Sequence, residues 1–308
     1  MFAAPLWWQV FFIPAFIMAI NKEVFRVRAL SSLFFVIAML AGLLWDRWSF
    51  LLLFSIIHFG CWREYTRLIG KIYQVSFHPF INLGFSLIGF GIMLSFCGPA
   101  YKIGGYAIRE NLLLPISLAG FLLLASGILR PSTGINIKAF LVLGLGWLYI
   151  SLSWGMMLAL RQQGMVFKGG SIFFDAGRII PLLLVLAVWA NDTFAYLVGS
   201  FIGKTPFSKI SPKKTWEGTA GGAILCVLGM GTLGSFLVTG RPSWNAVWIA
   251  LIAAVIGTLG DLLESKLKRM ADVKDSGTML PGHGGFMDRF DSLLLATPFV
   301  WLLMKTVL

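Results

Sequence analysis

Charge is what this chain has least of. Only 12% of its 308 residues are Asp, Glu, Lys or Arg, against 58% that are hydrophobic, and the mean hydropathy is +0.84. A soluble domain carries roughly 25% charged residues. Half that amount leaves too little polar surface to coat a water-soluble particle, so the chain is expected to be solvated by lipid. Acids are scarcer still, 13 against 25 Lys and Arg, giving a formal charge of +12. That excess raises nucleic acid as a partner, and the distribution argues against it. A nucleic-acid face needs a clustered basic patch on a soluble fold, whereas these charges sit in short segments between apolar stretches. Such placement suits residues that set topology and meet anionic ligands at a membrane surface. Cysteine is nearly absent as well. Cys61, Cys97 and Cys226 lie in or beside apolar segments with no CxxC pair, which reads as buried apolar residues without a disulfide framework or zinc site. No internal repeat or low-complexity segment is visible, so the inverted-repeat plan of many transporters has no support. Residues 1–20 have neither a basic leader region nor a small-residue cleavage site, and read as a retained membrane segment interrupted by Pro14.

What is abundant is apolar length. A bilayer core of about 30 Å needs roughly 20 apolar residues per helix. On that scale the spans fall at about 5–20, 29–45, 48–61, 79–98, 111–129, 138–160, 179–200, 218–239, 244–263 and 290–307. The expected fold is an all-α polytopic membrane protein with about ten transmembrane helices, nine if one segment is re-entrant. Lys and Arg set its facing. The connections after odd-numbered spans hold 17 of these residues and those after even-numbered spans hold 7. This bias puts the odd connections in the cytoplasm and both termini outside, in a multi-pass protein of the inner or plasma membrane. The two longest odd connections, 203–218 and 264–289, are polar, punctuated by Gly and Pro, and rich in both signs. Residues 1–178 therefore read as a transmembrane scaffold. Residues 179–308 read as the catalytic region, with its site at the cytoplasmic face.

The acids a membrane should reject point the same way, because a carboxylate at membrane depth marks a site or a buried pair. Asp192 lies within the seventh span, and Asp261 and Glu264 at the end of the ninth. Asp261 and Glu264 are i,i+3 and share a helical face, as do Asp288 and Asp291 at the start of the tenth span. Two such pairs at adjoining helix ends could converge on a hard cation with oxygen ligands. The plainer reading pairs each acid with a nearby Lys or Arg. Between them, basic residues alternate with acids and glycines through Ser265, Lys268, Arg269, Lys274, Asp275, His283 and Arg289. Exposed amides in such turns form anion-binding nests. An ordinary polar loop explains the glycines but not that alternation. Upstream, Gly199-Ser-Phe-Ile-Gly203-Lys204-Thr205 imitates a P-loop with one residue too few between its glycines and a helix where a strand is required. The run that follows, with Lys213 and Lys214, remains an anion-binding candidate. His58 and His78 read as packing or interfacial residues, leaving His283 as the histidine that is a site candidate.

At these residues the sequence resembles the phosphatidate cytidylyltransferase (CDP-diacylglycerol synthase) family. Its long signature, Ser-x-apolar-Lys-Arg, then Lys-Asp-x-small, then His-Gly-Gly-apolar-x-Asp-Arg-apolar-Asp, runs here from Ser265 to Asp291 with every fixed position in place. Phe286 departs mildly from the smaller aliphatic residue usual there. Ser211-Pro-Lys-Lys-Thr-Trp-Glu-Gly218 and Gly260-Asp-Leu-x-Glu-Ser265 also look like family elements. So does Asp192-Thr-x-Ala-Tyr196, with Phe194 where glycine is typical. The resemblance covers about residues 190–295. It implies CTP and a membrane phosphatidate as substrates, and Mg²⁺ at Asp261 and Asp288 with Glu264 and Asp291 nearby. A monovalent cation such as K⁺ is a candidate second ion, and a homodimer a candidate assembly. Lys274, Asp275 and His283 join the implied catalytic set. Lys213, Lys214, Lys268, Arg269, Arg289, Asp192 and Ser265 are the implied substrate contacts. The nearest alternative is a CTP-dependent lipid alcohol kinase such as a polyprenol kinase; a more distant one is an ion or solute transporter using Asp192 and Asp261.

Overall fold

Helices form wherever an apolar run follows a residue able to cap it. The computed structural model describes residues 22–130, 136–168, 171–208, 210–239, 244–279 and 284–307. In chain order its α-helices are α1 (Lys22–Leu44), α2 (Arg47–Tyr73), α3 (Pro79–Leu94), α4 (Ile108–Asn111), α5 (Leu113–Ile128), α6 (Ile137–Gly146), α7 (Ser153–Arg161), α8 (Ala176–Ile202), α9 (Trp216–Thr239), α10 (Trp244–Met270) and α11 (Met287–Val307). A π-helical stretch, Trp147–Leu152, joins α6 to α7 without a break. Among the described residues, five helical segments are long and apolar enough to cross a bilayer: Ile108–Ile128, Ile137–Arg161, Ala176–Ile202, Trp216–Phe236 and Trp244–Met270. The chain is thus a helical membrane protein. Every predicted span from the second onward falls on a helix or a continuous helical run, and the first, 5–20, lies outside the described residues. Among the described residues, two short antiparallel strand pairs, Lys102–Ile103 with Tyr106–Ala107 and Met165–Lys168 with Ser171–Asp175, qualify the all-α expectation.

Local chemistry fixes the helix starts. Asp46 accepts the Ser49 amide at 2.7 Å while the Ser49 hydroxyl receives the Asp46 amide at 3.1 Å, a reciprocal cap that opens α2. His78 accepts the Phe80 amide through Nδ1 at 3.2 Å with Pro79 in the first turn, so this histidine is a helix cap. His58 is buried, with Nε2 at 3.0 Å from the Ser151 hydroxyl, which Trp62 also reaches at 2.9 Å. Both histidines serve the fold, as expected.

Two helices overrun their predicted ends. The third span was expected to stop near residue 61, where charge begins, yet α2 continues to Tyr73. Cys61, Trp62, Tyr65, Leu68 and Ile69 are buried while Arg63, Arg67 and Lys71 are exposed. The exposed residues recur every fourth position, so the charges form one face of a continuing helix, not a loop. The predicted 264–289 connection likewise shrinks, because α10 runs on to Met270 and α11 begins at Met287.

Packing places the site. Helices α8, α9 and α10 pack on one another, α10 packs on α11, and α11 leans on α7. The C-terminal end of α2 meets Ser276, Gly277, Thr278, Met279 and Phe286, beside the α8–α9 connection and the α10–α11 junction. At the other end of the bundle Asp46, Arg47, Tyr101, Arg161, Asp175 and Arg178 come together.

Candidate functional site

Close helix approach creates an acidic centre. A Cβ on Gly260 would stand 2.5 Å from the Asp291 carbonyl oxygen and 3.1 Å from Ser292 Cα, so only glycine lets α11 come this near α10. The approach sets Asp291 opposite Asp261 and Glu264, one helical turn apart on α10. One carboxylate oxygen from each of the three lies within 4.8 Å of the others. Glu264 is fully buried and ion-paired with Lys268, and its Oε1 makes no hydrogen bond. Asp261 is ion-paired with Lys214 from the α8–α9 connection and receives the Ser265 hydroxyl at 3.3 Å. Asp291 accepts the Ser292 amide at 2.6 Å.

Asp288 does something else. Its Oδ1 accepts Lys268 at 2.6 Å; its Oδ2 accepts the amides of Ser276 at 2.8 Å and Gly285 at 2.7 Å, with the Ser276 hydroxyl at 2.9 Å. It therefore clamps the signature loop and holds Lys268, which bridges it to Glu264. Gly284 makes that loop possible: its φ is 78°, and a Cβ there would stand 2.7 Å from Asp288 Oδ2.

Beneath this clamp lies a residue that the sequence reading missed. Glu64 of α2, only 7% exposed, accepts the amides of Phe286 and Met287, both at 2.9 Å, and the Ser276 hydroxyl at 2.7 Å. A Cβ at Gly277 or Gly285 would collide with its carboxylate, and Arg67, one turn on, donates to the Ser276 carbonyl. Glu64 thus seats the first turn of α11, where its negative charge also complements the helix N-terminus. The signal was available: an acid four residues before Leu68, in step with the apolar positions Cys61, Leu68 and Ile69.

The basic expectations divide. Lys213 and Lys214 line a cavity of about 350 Å³ with Asp192, Thr219, Thr258 and Asp261. Burial holds the Lys214 ammonium below the ordinary lysine value of 10.5, against the pull of Asp192 and Asp291. Asp192 also borders a second cavity of about 270 Å³, with Arg289, Trp189 and Phe35 of α1. Arg269, Lys274 and Asp275 are exposed and, among the described residues, join no hydrogen bond or ion pair of the acidic centre. His283 lies outside the described residues. The P-loop imitation is occupied from within: the amides of Lys204 and Thr205 each donate to Glu217 at 3.1 Å, so they do not cradle a phosphate.

The sequence profile of the Cytidylyltransferase family matches residues 26–307. The chain is 38% identical over 143 residues to phosphatidate cytidylyltransferase 4, chloroplastic, of Arabidopsis thaliana, covering 46% of this chain and 37% of that one. It is 41% identical over 133 residues to the phosphatidate cytidylyltransferase of a Synechocystis species, covering 42% of this chain and 44% of that one. Its match to Uncharacterized protein YnbB of Escherichia coli (strain K12) is 32% identical over 254 residues, 82% of this chain and 78% of that one. The matched region thus spans less than half the length of the first two relatives.

Proposed function

The chain belongs to the cytidylyltransferase family, and on that premise we propose that it transfers the cytidylyl group of CTP to phosphatidate, forming CDP-diacylglycerol and pyrophosphate for phospholipid synthesis. The observation that carries the reading is the convergence of Asp261, Glu264 and Asp291 beside a cavity lined by Lys213 and Lys214. Three carboxylates, one of them fully buried with an oxygen lacking a hydrogen bond, fit a hard divalent cation. Asp261, Glu264 and Asp291 would hold it, and Mg²⁺ there supplies charge neutralisation at phosphoryl oxygens. Asp288, which the resemblance places among the ligands, is assigned instead to holding Lys268 and the loop.

No protein nucleophile is required. A phosphatidate oxygen already carries negative charge, bonds to the α-phosphorus of CTP, and the pyrophosphate leaves with the electrons of the broken anhydride bond. Lys214 and Lys268 oppose the charge gathered on the transferring and departing oxygens, and the clamped loop keeps Lys268 in place. The 270 Å³ cavity between α1, α8 and Arg289 offers the lipid phosphate a lateral approach. The same reading puts the site at the cytoplasmic face of a ten-span protein of the inner or plasma membrane. Its support is the 17-to-7 division of Lys and Arg, and the grouping of even connections at one end of the bundle away from the acidic centre.

The test is purified protein with labelled CTP, phosphatidate and a panel of divalent ions. The proposal expects CDP-lipid and pyrophosphate, and only with metal present. CDP with a phosphorylated lipid alcohol would assign the kinase chemistry instead, and solute uptake by proteoliposomes without CTP would assign a transporter.

A further inference from the structure

A second cluster of cationic side chains lies at the end of the bundle away from the acidic centre. Arg47 at the start of α2, Arg161 at the end of α7 and Arg178 in the first turn of α8 line one cavity of about 330 Å³, together with Tyr101, Asp46 and Asp175. Three different helices, α2, α7 and α8, contribute the arginines, so the cluster is a product of the fold and not of one basic run.

The acids at its rim are already committed. Asp46 accepts the Ser49 amide at 2.7 Å as the cap of α2. Asp175 accepts the Arg178 amide at 3.3 Å as the cap of α8, and pairs with Arg178 Nε at 3.3 Å. Arg47 donates to the Ala100 carbonyl at 2.8 Å, and Arg178 to the Trp45 carbonyl at 3.3 Å, contacts that fix both guanidiniums around the opening. Arg161 is different. Among the described residues its guanidinium makes no hydrogen bond or ion pair; it stands 5.9 Å from the Phe50 ring centroid, and its Nε is buried without a partner. Tyr101 beside it is only 1% exposed, and its hydroxyl is likewise buried without a partner. The Trp48 indole packs edge-on against the Tyr101 ring at 5.8 Å, so the phenol cannot swing out to solvent without breaking that contact.

Buried donors without acceptors cost stability, and the nearby Asp175 carboxylate, already held by the α8 cap and Arg178, makes no hydrogen bond to Arg161. The Arg161 and Tyr101 donors are satisfied together by one ligand that accepts hydrogen bonds and carries negative charge. The guanidinium fork matches the paired oxygens of a phosphate group. We propose that Arg47, Arg161, Arg178 and Tyr101 form a binding site for a phosphate oxyanion, either the headgroup of an anionic lipid in the leaflet at that end or free phosphate. The site is separate from the cytidylyl-transfer centre and does not rest on that assignment.

The full chain in detergent is titrated with inorganic phosphate, and in parallel exposed to phosphatidylcholine vesicles with and without phosphatidylglycerol before the retained lipid is quantified. Wild type is compared with Arg161→Gln and with Tyr101→Phe, which keeps the ring and guards against a misfolded arginine variant. Arg161→Gln is expected to weaken either phosphate affinity or phosphatidylglycerol retention by about tenfold, the worth of a charge-assisted contact. Tyr101→Phe should weaken the same arm by less, and neither variant should change turnover of CTP. Loss in the vesicle arm alone assigns a lipid headgroup; loss in the phosphate arm assigns a soluble anion. Phosphate affinity and lipid retention equal to wild type in both variants would overturn the proposal.

Discussion

Replacing Glu64 by Gln tests how the site is held together. The change keeps shape and volume but removes the charge and one acceptor. In the wild type the carboxylate takes the Phe286 and Met287 amides on separate oxygens, with Ser276 sharing the second. A glutamine has one oxygen to offer, so one of the two amides must face an NH₂ group. That amide is left without an acceptor at a cost of about 1–3 kcal/mol, and the surviving bond loses its charge assistance, for a total of roughly 2–4 kcal/mol. The loss falls on the start of α11, which carries Asp288 in its first turn and Asp291 three residues further on. We therefore expect kcat to fall at least about tenfold, since a 1.4 kcal/mol misplacement of the centre is already worth that factor, while KM changes less. Hydrogen exchange across residues 276–291 should rise in step. Leu68→Ala is the control. It is fully buried one turn further along α2, and its truncation costs about 2–5 kcal/mol of stability while leaving the Glu64 hydrogen bonds to the loop in place. Wild-type kcat in Glu64→Gln, or an equal loss in Leu68→Ala, would refute the positioning role and leave Glu64 an ordinary packing residue. The exchange measurement stands even if the reaction proves to be a different one.

Other substitutions probe neighbouring parts of the same arrangement. Asp261→Asn and Asp288→Asn should each lower turnover by about a hundredfold or more with membrane insertion intact, the first by weakening the cation centre and the second by releasing Lys268 and the loop; near-normal rates in either would remove that residue from the centre. Gly260→Ala places a methyl 2.5 Å from the Asp291 carbonyl and should separate α10 from α11, abolishing turnover and lowering the melting temperature. An unchanged rate would show that the carboxylates need no such approach. Burial lowers the Lys214 pKa below 10.5, so the ammonium is lost earlier than usual as pH rises. The alkaline limb of the rate profile should therefore begin below that value, and Lys214→Arg should carry it upward. An unmoved limb in the variant would assign the limb to another group.

Much of the acidic centre was legible because its spacing is helical. Asp261 and Glu264 at i,i+3 share a face in any helix, and Asp288 and Asp291 repeat the pattern, so their convergence needed only adjacent helix ends. The division of labour among the four was not legible. Which carboxylate faces its neighbours and which turns back to a loop depends on the φ of 78° at Gly284 and on the close packing at Gly260, both outcomes of tertiary contact. Helix ends failed for a related reason. Reading charge as the end of a span assumes that the helix stops with the membrane, whereas Arg63, Arg67 and Lys71 occupy the exposed face of a helix that keeps a buried stripe.

That overrun changes how the two halves of the chain relate. A helix ending at residue 61 would have left residues 1–178 to meet the site region through packing residues such as Phe35. Three more turns carry Glu64 and Arg67 onto Ser276, Phe286 and Met287, across more than two hundred residues of sequence. The signature segment supplies the chemistry-bearing side chains, yet two of its glycines, Gly277 and Gly285, leave room for a carboxylate from outside it. A larger residue at either would be paid for at Glu64, not locally. Gly277→Ala combined with Glu64→Asp, which withdraws the carboxylate by one methylene, should therefore recover activity that Gly277→Ala alone loses. If the pair is no better than the single change, the glycine answers to the loop alone and the two halves are coupled only by packing.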